Sequence, residues 1–392
     1  MNNEKKEKTN KSKKSEIKNS RAYTLGKVLI MSVAVVVVIA LIISGLKTLF
    51  PGQSTLGQVA YTSVLDGPVT TPYADSVQNN FLGMHLDRED PSPTPAPEVD
   101  LDSVNFEDYG QKIVVGSNAY DSFTFTTAEI ESIATAINAS ANAISSEVNF
   151  FSMVVPTSCG VMLPSDYISS NYNKFTNQET ACETINSLIS SNIAALDIFS
   201  TLKANSDQKL YYSTENDWTS LCAYYAYTVW AQRRGDDYYS LTDYEQNSVD
   251  GYVGYLYTFI GSSKIDSPET IVYYEPTSIL SVENGNLFAD VSESSASKKT
   301  NVFLGGSTDQ VVITNDSLSD GSVGIIVGDS SAYSLVPYLA EYYQTTYFID
   351  FTLYEGSLNS LVAITGAVDV TYCVSLETAS STSDIASLQY LG

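Results

Sequence analysis

The sequence predicts an α/β protein with a doubly wound parallel sheet, preceded by a single transmembrane helix and a proline-rich stalk. Short apolar runs separated by helical patterns predict the sheet. A stretch of nineteen uncharged residues near the amino terminus predicts the membrane helix. The chain has 392 residues, of which 43% are hydrophobic, so it can bury a large core. We divide it into a basic cytoplasmic tail (1–27), a transmembrane helix (28–46), an extracellular stalk (47–108) and an α/β domain (109–392).

Acidic residues strongly outnumber basic residues in this chain. There are 45 Asp and Glu residues against 20 Lys and Arg, a net charge of −25. A nucleic-acid-binding protein needs a basic surface to meet phosphates, so we expect no nucleic-acid partner. The single histidine, His85, lies in the predicted stalk. Most zinc sites and every Ser–His–Asp triad need histidine, so we expect neither in the folded domain. No Cys/His spacing indicates a metal, and we predict no cofactor.

The segment VLIMSVAVVVVIALIISGL, Val28–Leu46, is the predicted membrane helix. As a helix it is about 28 Å long, which matches the apolar core of a bilayer. The alternative is a buried core helix, but such a helix has no need to be apolar on every face. The segment is longer than a cleaved signal core and lacks a small-x-small site. Residues 1–27 carry nine basic and three acidic residues, so the positive-inside rule predicts a cytoplasmic tail and an external main domain at the cell membrane.

A proline-rich segment follows the membrane helix. The run DREDPSPTPAPEVDLD, Asp87–Asp102, has four prolines between Pro91 and Pro97, flanked by acidic residues. Alternating prolines favour an extended polyproline II conformation. We therefore expect a semi-rigid spacer between the membrane and the folded domain.

From about residue 110 the sequence alternates between strand and helix patterns. In the region 127–146 isoleucines and alanines recur at helical spacing, with Thr126 or Thr127 as the cap. Ligands of parallel sheets bind beyond the carboxyl ends of the strands, so we expect the chemistry there. The predicted strands are 111–116, 148–156, 193–197, 323–328, 347–351 and 369–374, and the further helices are 179–192, 332–343 and 357–367.

Two segments at predicted strand ends are candidates for function. The first is Gly328-Asp329-Ser330-Ser331, directly after the strand VGIIVG and before a helix. The second is 210–227, LYYSTENDWTSLCAYYAY, in which Thr219 or Asp217 can cap a helix and Trp218 can pack the junction. Gly, Asp and Ser also form ordinary strand-to-helix turns, so spacing alone leaves both interpretations open.

The serine segment IIVGDSSAYSLVPYLAEYYQTTYFID resembles the nucleophile block of SGNH-type hydrolases and, more closely, that of the bacterial DHHW family, membrane-anchored relatives of the alginate acetyltransferases. Asp350 and Asp369 follow in the order that the family shows. The segment 214–219, TENDWT, corresponds to the family's Thr-Asp-His-His-Trp-Thr block and is followed by AYYAY. The segment 154–167 is similar to the family's early strand and loop. The resemblance covers roughly 110–380 and implies an SGNH-like sheet.

The resemblance also implies roles for particular residues. The nucleophile position is occupied by serine, but glutamate replaces the family's aspartate, and asparagine and aspartate replace its two histidines. The implied positions are Ser330, Asp217 and Glu215 for catalysis, Gly328 and Asp329 for the turn or oxyanion site, and Thr214, Asn216 and Trp218 for support of the motif.

Three hypotheses follow from the missing histidine. In the first, the fold is retained as a catalytically degenerate binding or scaffolding module of the cell envelope, with an envelope polysaccharide or a membrane-bound acyl-transfer protein as partner. In the second, Ser330 works as an O-acyltransferase or esterase on envelope glycans with a carboxylate base, which needs its pKa raised by burial or by a second carboxylate. In the third, Glu215, Asp217 and Asp329 bind Ca²⁺ or Mg²⁺.

The four cysteines all follow the predicted membrane helix. Disulfides are allowed in an external domain, and four cysteines permit three pairings that the sequence does not distinguish. Alternatively, Cys222 and Cys373 are small core residues. The other two cysteines are Cys159 and Cys182.

Overall fold

The computed structural model describes residues 106–144, 147–261 and 263–391. The predicted cytoplasmic tail, the predicted membrane helix and His85 lie outside the described residues. Among the residues that are described, no helix is both long and apolar enough to cross a bilayer.

The strands are β1 (Phe106–Asp108), β2 (Lys112–Val115), β3 (Asn118–Asp121), β4 (Asn149–Val155), β5 (Ile193–Leu196), β6 (Glu245–Tyr252), β7 (Glu269–Glu275), β8 (Leu280–Val282), β9 (Gln310–Asn315), β10 (Val323–Gly328), β11 (Thr345–Asp350) and β12 (Asp369–Ser375). The α-helices are α1 (Thr127–Asn142), α2 (Ser158–Met162), α3 (Ser165–Ser170), α4 (Gln178–Leu188), α5 (Ile198–Ala204), α6 (Ser220–Arg234), α7 (Tyr255–Ile260), α8 (Val336–Leu339), α9 (Leu358–Thr365) and α10 (Thr382–Tyr390). Short 3₁₀ helices cover Leu241–Asp243, Ala296–Val302, Ser330–Ser334, Ala340–Tyr342 and Leu376–Ser380.

The central sheet has seven strands in the order β5-β4-β12-β10-β11-β9-β8. The five strands from β5 to β11 are parallel, whereas β9 and β8 are antiparallel to their neighbours. The α/β class is therefore confirmed, but the sheet is mixed and the prediction of an all-parallel sheet is wrong. The connection 316–322 between β9 and β10 is too short for a helical crossover, which a parallel arrangement would need.

Helices cover both faces of the parallel strands. In β12 the hydroxyl of Tyr372 hydrogen-bonds to Ser140 of α1 at 2.6 Å, while the preceding Thr371 accepts a 2.9 Å hydrogen bond from Nε1 of Trp230 in α6. Since successive side chains of a strand point to opposite faces, α1 and α6 lie on opposite sides of the sheet. Helix α1 begins where the sequence predicts, because Thr126 and Glu129 form a reciprocal capping box.

The predicted helix 332–343 is broken into shorter pieces. A 3₁₀ helix follows the serine, α8 has only one turn, and a second 3₁₀ helix ends at Tyr342. Pro337 lies in the first turn of α8. A proline has no backbone N–H to bond to the preceding turn, so the helical pattern is interrupted there. The first of these pieces lies against β10 and β12 and carries the serine turn.

Two smaller antiparallel sheets complete the described part of the chain. Strands β1, β2 and β3 form the first, which includes 106–108, residues that the sequence analysis assigns to the stalk. Strands β6 and β7 form the second. All four cysteines of the chain are buried free thiols. The disulfide alternative is therefore wrong, and the cysteines are core residues.

Candidate functional site

Ser330 lies in a sharp turn at the carboxyl end of β10, and its side chain is exposed. The turn is held by the buried carboxylate of Asp329, which accepts hydrogen bonds from the N–H of Ser331 at 3.0 Å and of Ser375 at 2.7 Å. A Cβ atom on Gly328 would overlap the side chain of Ala332, so glycine is required for this close approach. Asp329 thus joins the serine turn to the end of β12.

The TENDW segment reaches the serine turn from the other side. An antiparallel bridge pairs Tyr211 with Trp218, and the N–H of Tyr212 lies 3.4 Å from the carbonyl oxygen of Asp217. Trp218 is buried, and its Nε1 donates a 2.7 Å hydrogen bond to the carbonyl oxygen of Ser331. The structure therefore brings the two segments singled out in the sequence into direct contact.

A buried glutamate of β7 fixes the start of this segment. Glu269 accepts hydrogen bonds from the N–H groups of Ser213 at 2.7 Å and Thr214 at 2.9 Å, and from the Thr214 hydroxyl at 2.5 Å. Lys209 forms an ion pair with the same carboxylate at 2.8 Å. The Thr214 hydroxyl in turn accepts from the N–H of Gly254 at 2.9 Å. Thr214 is therefore a structural residue, and Glu269 is its main partner.

Asn216, which the sequence analysis matched to the family's first histidine, belongs to the hydrogen-bonded framework of the site. The Asn216 amide nitrogen donates to Asp121 at 2.9 Å and to the hydroxyl of Tyr255 at 2.8 Å. Its carbonyl oxygen accepts from the N–H of Asp121 at 3.4 Å and the hydroxyl of Ser158 at 3.3 Å. Asn216 thus joins β3, α2 and α7, and it is buried.

Glu215, at the position of the family's aspartate, also has structural partners. One carboxylate oxygen accepts the N–H of Asn216 at 2.9 Å and the other accepts the N–H of Tyr255 at 3.3 Å. No hydrogen bond joins Glu215 to Asp217 among the described residues. The two carboxylates therefore do not form the relay in which one residue orients the other.

A small pocket lies between the TENDW segment and the serine turn, with a volume of about 100 Å³. Drug-sized ligands usually occupy roughly 300–1,000 Å³, so this pocket takes one small group of a larger ligand. Among the described residues, the Ser330 hydroxyl has no hydrogen-bond partner. The lining comprises the acid Asp217, the hydroxyl and amide residues Thr300, Asn301, Ser307, Ser330 and Ser334, the aromatic residues Tyr212, Trp218, Phe303 and Tyr333, and Gly306.

Four carboxylates, those of Glu215, Asp217, Asp329 and Glu377, lie at the end of the sheet near this pocket. Burial, with repulsion from Asp329, raises the pKa of Asp217 to about 6, and burial raises the pKa of Asp329 to about 6 against its hydrogen bonds. Burial and repulsion from Asp217 raise the pKa of both Glu215 and Glu377 to about 8. A positive charge lies nearby on Lys112, but it forms an ion pair with Asp121.

The cation-binding hypothesis finds no support in this geometry. Within residues 106–144, 147–261 and 263–391, no group of three or more His, Cys, Asp or Glu side chains is arranged to hold a metal ion. Glu215 and Asp329 direct their oxygens to backbone N–H groups instead.

Of the residues singled out in the sequence, Ser330, Asp217 and Trp218 line the pocket, whereas Glu215 and Asn216 do not. The remaining three, Thr214, Gly328 and Asp329, support the two segments from outside the lining. The sequence analysis did not find Asn301, Glu269 or Glu377, and it included Tyr212 only as part of the candidate segment 210–227. Only Glu377 had a usable signal, because it follows β12 at the same edge of the sheet as the serine turn.

Comparison with known proteins identifies the family. The model of the DHHW protein family matches residues 97–349, well over half of the chain. The chain belongs to the DHHW family. The family predicted from the serine and TENDW segments is therefore confirmed.

Two solved bacterial structures, a DHHW family protein and PatB1, share the fold of this chain. A DHHW family protein from Eubacterium siraeum is 21% identical, with a TM-score of 0.65, over 73% of this chain and 97% of that one. Bacillus cereus PatB1, solved with a sulfonyl adduct, is 16% identical with a TM-score of 0.54, over 72% and 97%. The O-acetyltransferase domain of Pseudomonas putida AlgJ is 12% identical with a TM-score of 0.38, over 73% and 99%. A comparison with curated proteins finds no match.

Proposed function

We propose that this DHHW protein is a saccharide-binding module of the bacterial cell envelope in which the catalytic triad is no longer assembled. One observation carries the proposal: Asn216 and Glu215 are held in structural hydrogen bonds, and no base among the described residues hydrogen-bonds to the Ser330 hydroxyl. A serine without a hydrogen-bonded base is a weak nucleophile. The pocket remains, so binding is the function that the geometry supports best.

The lining of the pocket favours a polyhydroxylated ligand. The lining combines the hydroxyl and amide residues Asn301, Ser307 and Ser330 with the aromatic residues Trp218 and Phe303. Sugars present both hydroxyl groups and apolar C–H faces, so a mixed wall of this kind suits them. Because the pocket is small, one substituent of a sugar enters it. The rest of the saccharide then lies across the mouth of the pocket.

The location follows from the segments before the folded domain. We propose that residues 28–46 anchor the protein in the cell membrane by a single pass, with residues 1–27 in the cytoplasm. The stalk over 47–108 then holds the domain at a distance from the membrane surface. An envelope polysaccharide, or a membrane-bound acyl-transfer protein that modifies it, is the partner at that location. Protease digestion of intact cells tests this topology, since an external domain is cleaved without cell lysis.

Reaction of Ser330 with a fluorophosphonate tests the loss of the triad. The full chain is incubated with the probe and the adduct is located by mass spectrometry, with Ser330→Ala as the negative control. We expect no adduct on Ser330 in protein that unfolds cooperatively. A stoichiometric adduct at this serine would refute the proposal that the site is degenerate.

A second function is favoured by the electrostatics of Asp217. Its carboxylate shares the pocket with Ser330, and a pKa of about 6 makes it a stronger base than an ordinary aspartate. On this alternative the protein is an O-acyltransferase or esterase on envelope glycans. The alternative predicts ester hydrolysis that increases with pH through about 6 and is lost in both Asp217→Asn and Ser330→Ala.

A further inference from the structure

Asn301 carries an amide at the pocket that has no partner among the described residues. The residue lines the pocket and is half-buried. Its side chain makes no hydrogen bond to any described residue, yet neither its oxygen nor its nitrogen is among the buried unpaired atoms of the described part of the chain. Both atoms of the amide are therefore accessible to a ligand.

The amide lies against Gly306, which lines the pocket as well. A Cβ atom on Gly306 would come within 2.8 Å of the Cγ, Oδ1 and Nδ2 atoms of Asn301, so the amide occupies the space that a side chain there would fill. Gly306 also has a φ of 95°, in the left-handed region that favours glycine. Glycine at 306 thus makes room for the amide at the pocket wall.

The turn that carries Gly306 is strained and anchored at its base. Leu304 and Gly305 are left-handed as well, with φ values of 56° and 82°. This conformation costs a leucine roughly 1 kcal/mol, and it persists where the surroundings fix the backbone, as they do at ligand sites. The N–H of Gly306 donates to the carbonyl oxygen of Phe303 at 3.1 Å, and Phe303 forms an antiparallel bridge with Phe288. The turn therefore holds the amide in a defined place.

An accessible acceptor lines the same pocket from a different segment. No described residue hydrogen-bonds to the carboxylate of Asp217, and its oxygens are not among the buried unpaired atoms. Asp217 belongs to the TENDW segment, whereas Asn301 belongs to the 3₁₀ helix Ala296–Val302. The pocket therefore offers an amide donor from one segment and a carboxylate acceptor from another.

A secondary amide matches these two groups. Its carbonyl oxygen and its N–H point in opposite directions, because such amides adopt the trans form. It can therefore accept a hydrogen bond from Asn301 on one side while it donates one to Asp217 on the other. A hydroxyl group has only one oxygen for both contacts. The acetamido group of an amino sugar is a small secondary amide, and its methyl group suits the aromatic part of a lining that encloses about 100 Å³.

The charge of the lining favours an uncharged group. Asp217 is acidic, and no Lys or Arg side chain is among the residues that line the pocket. A carboxylate or phosphate substituent would bring a second negative charge to this site without a cation in the lining to balance it. An acetamido group brings none.

We propose that Asn301 is the specificity-determining residue of this pocket: its amide donates a hydrogen bond to the carbonyl oxygen of an acetamido group on a neutral saccharide, and Asp217 accepts one from the N–H of the same group. This inference rests on the proposed saccharide-binding function and names its ligand class. It also explains why a strained turn is kept at the pocket wall.

The test compares two β-1,4-linked tetrasaccharides, one of glucose and one of N-acetylglucosamine, which differ only in the hydroxyl or acetamido substituent at carbon 2. Binding to the full chain, purified in a detergent that has no sugar headgroup, is measured by ligand-observed NMR. Asn301→Leu keeps the branched shape of the side chain without its polar atoms, and Asn301→Asp keeps acceptors only. The matched control is Asn286→Leu, because Asn286 is exposed, makes no hydrogen bond to a described residue and does not line the pocket. Unfolding of each variant is followed by circular dichroism.

We expect the wild type to bind the N-acetylglucosamine tetrasaccharide about 10-fold more tightly than the glucose tetrasaccharide. Loss of one hydrogen bond in either Asn301 variant should weaken binding of the acetamido ligand by about 3- to 10-fold. The melting temperature of Asn301→Leu should equal that of the wild type, because the amide has no partner in the described chain to lose. Asn286→Leu should bind both ligands as the wild type does.

The possible failures are distinguishable. Equal or tighter binding of the glucose tetrasaccharide by the wild type would overturn the inference and leave the proposed function standing. A preference that both Asn301 variants retain would refute the role of Asn301, and so would a loss of binding that is matched by a fall in melting temperature. If cooperatively folded wild type binds neither tetrasaccharide, the proposed function itself is refuted, and the inference with it.

Discussion

Replacing Glu377 by Gln is expected to stabilise the folded protein at pH 8 and to change its stability little at pH 5. Burial and the charges of Asp217, Asp329 and Glu215 raise the pKa of Glu377 from 4.5 to about 8. No described residue hydrogen-bonds to its carboxylate. The substitution therefore removes an unfavourable charge without breaking a visible hydrogen bond.

The direction in which stability changes with pH follows from proton binding. Between about pH 4.5 and 8 the folded chain keeps the proton on Glu377 and the unfolded chain has lost it, so the free energy of unfolding falls as pH rises. One pH unit is worth about 1.4 kcal/mol per proton, so the three units from pH 5 to 8 correspond to about 4 kcal/mol. The raised pKa values of Glu215 and Asp217 act in the same direction. Carboxylates with a lowered pKa, such as Glu129, act only at lower pH.

The assay is urea unfolding at pH 5 and pH 8 with ionic strength held constant. Wild type should lose stability between these two values, and Glu377→Gln should lose about 4 kcal/mol less. Glu283→Gln, which removes an exposed carboxylate, is the matched control and should follow the wild type. Equal stability of the wild type at both pH values, or higher stability at pH 8, would refute the view that these carboxylates are buried together.

Three further substitutions test how the pocket is built, each followed by urea unfolding. Glu269→Ala removes the acceptor of three hydrogen bonds and should cost roughly 3–5 kcal/mol, and an effect below 1 kcal/mol would contradict its central position. Trp218→Phe keeps an aromatic ring but leaves the Ser331 carbonyl unpaired, at a cost of about 1–3 kcal/mol, and an unchanged midpoint would show that this hydrogen bond is unimportant. In Gly254→Ala the new Cβ would overlap the Thr214 carbonyl, so we expect a loss of about 1–3 kcal/mol, whereas full stability would show that the loop adapts.

The parallel half of the fold could be predicted because its strands are buried on both faces. Their sequences, such as VGIIVG in β10, are continuous apolar runs. Such a run can be recognised as a strand without knowing which strands lie beside it. The antiparallel strand β9, QVVITN, alternates between buried and half-buried positions and has only three apolar residues in succession, so its signal is weaker. The hairpin of β6 and β7 is polar over most of β6, and it was missed for the same reason.

The site could be predicted only where a local sequence pattern indicates it. The serine turn was found because Gly, Asp and Ser follow a strand directly, and Trp218 was found through the family motif. Tyr212 and Glu269 act through partners distant in sequence or across a turn, and no local pattern reveals such pairs. The raised pKa of Asp217 likewise depends on burial, which a sequence does not display.

Positions 216 and 217 differ in how easily each could take a histidine. A histidine at 216 would break contacts with Asp121, Ser158 and Tyr255 at once, because an imidazole cannot replace an amide that both donates twice and accepts. Asp217 faces the pocket, and no described residue hydrogen-bonds to its carboxylate. A basic side chain can therefore be introduced at 217 without breaking a hydrogen bond of the described residues, whereas the hydrogen-bonded framework around position 216 excludes one.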